Sequence, residues 1–153
     1  MTNWEDRLLD IWKIHARINL EILDTIDETD LGKGLEHYDT TIGGQFAHIH
    51  RVRLLWLQRE EGLSEGLLEI EKSLESNKNA IRENLEKSAE RVEKMLTKGI
   101  ASGGQLPYFQ PHIGAFVGYL IAHECMHHGE VGMILGKYGK ELPLEVVWDW
   151  THV

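Results

Sequence analysis

Cysteine is almost missing from this chain. Cys125 is the only one in 153 residues, which excludes a disulfide framework and any cysteine-based zinc site. A bound metal would have to be held by histidines and carboxylates. Long apolar runs are missing too. The longest, around Ile113 to Ala122, is too short to span a bilayer, and the opening stretch "MTNWEDRLLD" has neither a basic n-region nor an apolar h-region. The expectation is a soluble, cytoplasmic protein with no membrane partner. Basic blocks are likewise absent. Sixteen Lys and Arg stand against 25 Asp and Glu, a net charge of −9, which argues against nucleic acid or an anionic membrane as a partner. No segment alternates convincingly with the period of a strand, and no internal repeat occurs. A chain of this length is expected to form one domain over residues 1–153, with a core that needs no staples.

What the chain does contain is helical periodicity. Trp4, Leu8, Ile11, Ile18 and Ile22 recur at helical spacings, with Trp12 and Ile26 flanking them, and predict an amphipathic helix from about Trp4 to Asp27. Asp39, Thr40 and Thr41 offer caps for a second helix to about Glu61, with Ile42, Phe46, Ile49, Val52 and Trp56 on one side. Residues 62–75 read as a long crossover carrying a short helical turn, which suits a bundle whose second and third helices run parallel. A third, more exposed helix is expected from about Ser76 to Lys98 on the narrow stripe Ile81, Leu85, Val92 and Leu96. The stretch "GIASGGQLPYFQP" is the clearest loop. The fourth helix is expected from about Pro111 to Lys137, ended by Gly139 and Pro143. The tail "LPLEVVWDWTHV", apolar and aromatic, is expected to pack onto the bundle or onto a second subunit. The fold class is all-α, a four-helix bundle with a long crossover between helices 2 and 3.

Candidate chemistry is concentrated in "AHECMHHGEVG", residues 122–132. At about 100° per residue, Phe116, Tyr119, Leu120, His123, His127, Glu130 and Ile134 share one face of the fourth helix. Two histidines and a carboxylate therefore interrupt an apolar stripe, and polar groups there need partners. His123 and His127, one turn apart, can converge on a single ion. Glu130 can serve as a fourth ligand, as a partner to an imidazole, or as a base for a metal-bound water. On the second helix His48 lies at the margin of the apolar stripe and is the better third ligand, whereas His50 is expected to meet solvent. His15 lies on the inward stripe of the first helix and reads more readily as a hydrogen-bonded core residue. Tyr119 either lines the pocket or belongs to the core. Cys125 faces about 160° away from His123 and is not expected to be a ligand.

His123, Glu124 and His127 also spell the HExxH string of zinc peptidases. The surroundings disfavour that reading. The extended form of the motif needs Gly and then His where this chain has Glu130 and Met133, and only 26 residues follow His127 to supply a downstream Glu on another helix.

The segments "TIGGQFAHIHRVRLLWL", "NLEKSAERVEKML" and "AHECMHHGEVGMIL" resemble the DinB/YfiT-like superfamily of four-helix-bundle metalloenzymes, over almost the whole chain. The second-helix ligand of that family falls on His48 and its fourth-helix pair on His123 and His127. Where members often carry Arg-Gly-Gln, this chain has His128-Gly129-Glu130. The resemblance implies a divalent ion, zinc or nickel, held by three imidazoles with open positions. It implies thiol S-transferase or hydrolase chemistry on a small-molecule substrate, with bacillithiol, mycothiol or glutathione as thiol cosubstrates among relatives. It also suggests a homodimer. The competing expectation is a metal-binding stress-response module without turnover.

Overall fold

The computed structural model describes residues 4–36 and 39–142. Four long helices account for most of them: α1 (Trp4–Thr25), α2 (Ile42–Leu57), α3 (Lys78–Ala101) and α4 (Ile113–Lys137), with single 3-10 turns at Glu28–Asp30 and Lys72–Leu74. Among the described residues there is no β-strand, only the isolated bridges Gly34–Thr41 and Leu106–Phe109. The fold class is all-α. The apolar tail beyond Leu142 lies outside the described residues.

Capping explains where three of the helices begin. Thr41 Oγ1 accepts from the Gly44 amide at 3.0 Å, Asn77 Oδ1 from Ala80 at 2.9 Å, and His112 Nδ1 from Ala115 at 3.1 Å. Each side chain satisfies an amide that the first turn leaves without a carbonyl. Gly139, at φ +70°, turns the chain out of α4 in the left-handed region. α2 stops at Leu57, a turn before the expected Glu61, and α3 runs on through Gly99 to Ala101. Gly99 is itself buried against the side chains of Leu106 and Ile113, so packing holds that glycine in the helix.

The core has two apolar halves. One gathers Ile22, Ile42, Phe46, Ile81, Leu85 and Ile134. The other gathers Trp12, Leu57, Val92, Leu96, Phe116 and Leu120. α2 and α3 pass from the first half to the second, whereas α1 and α4 pass from the second to the first. At the level between the halves every helix carries a buried polar side chain: His15 and Asn19 on α1, Arg53 on α2, Ser88 on α3, and Glu124 and His128 on α4. A polar belt thus separates two hydrophobic clusters.

The inward face of α1 differs from the expected stripe. Trp12, His15, Asn19, Ile22 and Leu23 are buried, while Trp4 and Ile11 are 54% and 48% exposed. Counting apolar residues alone rotated that face outward, because the belt places polar residues at two of its central positions.

Candidate metal centre

His48, His123 and His127 come together. Their candidate ligand nitrogens all lie within 4.8 Å of one another. His48 projects from α2 across to α4, with ring centroids 4.6 Å from His127 and 5.5 Å from His123. The Nε2 atoms of His123 and His127 are 3.2 Å apart. Two nitrogens bound tetrahedrally to zinc at about 2.0–2.1 Å would stand about 3.3 Å apart, so the His123–His127 pair already has the spacing of two ligands on such an ion.

Neighbouring groups prepare the rings for that role. His127 Nδ1 donates to Gln45 Oε1 at 2.6 Å and to Glu130 Oε2 at 3.1 Å. With the proton held on Nδ1, the lone pair of a neutral His127 lies on Nε2, toward His123. Gln45 stands three residues before His48 on α2, so one turn of that helix supplies both a candidate ligand and the support for another. Burial, followed by the adjacent imidazoles, lowers the pKa of both His48 and His123 and favours the uncharged form that a cation needs. His123 Nδ1 is buried without a hydrogen-bond partner. A neutral ring whose Nε2 binds a metal would keep its proton on that atom.

Glu130 contacts His127 at Nδ1, the ring nitrogen other than the candidate ligand Nε2, and its negative charge also acts on His48 and His123. Tyr119 is 38% exposed, a rim residue and not a core one, with its ring 6.1 Å from that of His123. Cys125 is exposed and stands apart from the three histidines.

His50 departs from expectation. It is fully buried, and its Nε2 donates to the Leu68 carbonyl at 2.8 Å. α2 is covered on two sides, by the other helices and by the segment that follows it, and the periodicity of one helix cannot register a loop folding back over its outer face. Burial lowers the pKa of His50 and keeps it neutral.

Glu124, the central letter of the HExxH string, is buried in the belt. Arg53 grips it in a two-toothed pair, Nε to Oε1 and Nη2 to Oε2, both at 2.7 Å. His15 Nε2 donates to Oε2 at 2.8 Å and Asn19 Nδ2 at 3.0 Å, while His128 Nε2 donates to Asn19 Oδ1 at 2.8 Å. Burial alone would raise the Glu124 carboxyl; Arg53 and then His15 outweigh it and hold the group far below the usual carboxylate range. Glu124 is therefore a locked ion-pair partner and has no free oxygen edge for a peptidase base. His15 is the hydrogen-bonded core residue expected. Arg53, Asn19 and His128 were missed, although the polar pairs His15/Asn19 and Glu124/His128, each one turn apart, were a usable signal. No known family model, curated protein or solved structure matches this chain.

Proposed function

We propose that the chain is a metal-dependent enzyme of the DinB/YfiT-like kind, a four-helix bundle with a long crossover between α2 and α3. In this reading His48, His123 and His127 hold one divalent transition ion, zinc or nickel. The observation that carries it is the convergence of three imidazoles from two helices, whose candidate ligand atoms fall within 4.8 Å. Imidazole donors without thiolate suit such ions. Bound there, the ion would lower the pKa of a thiol or a water and make it a nucleophile near neutral pH.

The protein's own residues then bind, orient and hold protons. Gln45 and Glu130 fix the tautomer of His127. A hollow of about 260 Å³ on the α2 side is lined by His48, Arg51 and Glu69, though by neither His123 nor His127. Thiol S-transfer or hydrolysis is the reaction class, with a low-molecular-weight thiol as the cosubstrate in the first case.

The test is metal content per chain, by plasma mass spectrometry on untagged protein, for wild type and for His48→Ala, His123→Ala and His127→Ala. About one equivalent in wild type, lost in each variant that remains helical by circular dichroism, is the expected result. A wild type that neither carries zinc or nickel nor takes them up removes the reading. Full metal occupancy without turnover of any thiol and electrophile pair would favour the non-catalytic module.

A further inference from the structure

The three histidines have unequal surroundings. Toward the end of α4 the neighbours are polar, with Gln45 and Glu130 both bonded to His127. In the other direction along α4 they are aromatic. Tyr119 stands one turn before His123, its ring 6.1 Å away and 25° from parallel. Beyond it come Trp56 of α2 and Phe109 of the segment before α4, and every pair among these three rings lies 5.5–5.7 Å apart.

Core packing accounts for only part of this cluster. Phe116 is its floor, fully buried and edge-on to both Trp56 and Phe109 at 5.3 and 5.1 Å. The rings around it are less covered. Among the described residues Trp56 and Phe109 are partly buried, and Tyr119 is 38% exposed. Leu55, half exposed, stands seven residues after His48, two turns on along the same side of α2. An apolar and aromatic surface therefore reaches solvent on both helices that carry the histidines, and Tyr119 joins it to His123. A ring laid on this surface displaces water from apolar area and adds aromatic contacts, and both effects are favourable.

We propose that the substrate of the three-histidine centre carries an aromatic ring, or a comparably flat apolar group, beside its reacting atom, and that Trp56, Phe109 and Tyr119 are the wall on which this group lies. The inference rests on the proposal that the histidines hold a metal ion. The reacting atom meets the histidines while the ring extends toward Tyr119. The opposite direction leads to the Glu130 carboxylate, which would lose hydration beneath an apolar group and gain no hydrogen bond in return.

The test is a binding measurement on full-length protein loaded with cobalt(II), whose visible absorption reports both occupancy of the site and any new ligand on the ion. Two probes with the same metal-binding group are titrated: benzohydroxamic acid, which carries a phenyl ring, and acetohydroxamic acid, which carries a methyl group. Wild type is compared with Tyr119→Ala, which removes the most exposed ring and spares the core, and with Trp56→Leu. The phenyl probe is expected to bind wild type roughly tenfold tighter than the methyl probe, and both variants are expected to lose most of that preference. Equal binding of the two probes by wild type overturns the proposal and leaves the metal site standing. So does a preference that survives both substitutions. If no cobalt bands form, the metal reading falls, and this inference falls with it.

Discussion

At the scale of single residues, the ion pair between Arg53 and Glu124 sets the terms for everything near the belt. Both side chains are 1% exposed, and each charge is tolerable only because the other is there. Glu124→Gln keeps the shape and removes the charge, leaving the guanidinium buried without a carboxylate. The expected loss is roughly 3–5 kcal/mol in urea unfolding. Combining it with Arg53→Met should cost less than the two single changes added together, a coupling that a double-mutant cycle measures. Additive costs would mean that the pair does not interact as its geometry requires. The same pair shows why the HExxH string misleads here, since its glutamate belongs to the scaffold.

At the scale of elements, α2 is the helix on which the site depends, because it supplies His48, Gln45 and Arg53 from different sides. Its start is held by a close approach. A Cβ on Gly43 would stand 1.7 Å from the Glu75 carbonyl oxygen, so Gly43→Ala must push the beginning of α2 away from the segment before α3. A destabilisation of about 1–3 kcal/mol is expected by chemical denaturation, as for other overpacked positions. Gly118 on α4 has open space around it. Gly118→Ala should therefore stabilise by up to about 1 kcal/mol. If the two substitutions shifted the midpoint equally, close packing at Gly43 would not be what distinguishes them.

At the scale of the whole molecule, the two apolar halves share every helix, so they are expected to unfold as one. Leu85 belongs to one half and Leu96 to the other, both on α3. Leu85→Ala and Leu96→Ala should each lower stability by about 2–5 kcal/mol. Circular dichroism and tryptophan fluorescence should follow a single coincident transition in both variants. Separate transitions by the two probes would show that the belt divides the molecule into independent units.

Periodicity and punctuation alone determined four helices, the cap at the start of α2, the glycine that ends α4, and a histidine pair one turn apart on the inner face of α4, because these depend on neighbours within a few residues. His48 was also legible as the candidate partner, from its place beside the α2 stripe. Tertiary structure decided the rest. It turned α1 so that Asn19 points inward beside the expected His15, buried His50 beneath the segment after α2, and made Glu124 the centre of an ion pair with Arg53. These outcomes join residues separated by up to 109 positions in the chain. Whether a buried polar group is tolerable depends on which partner the packing brings to it, and no single helix carries that information.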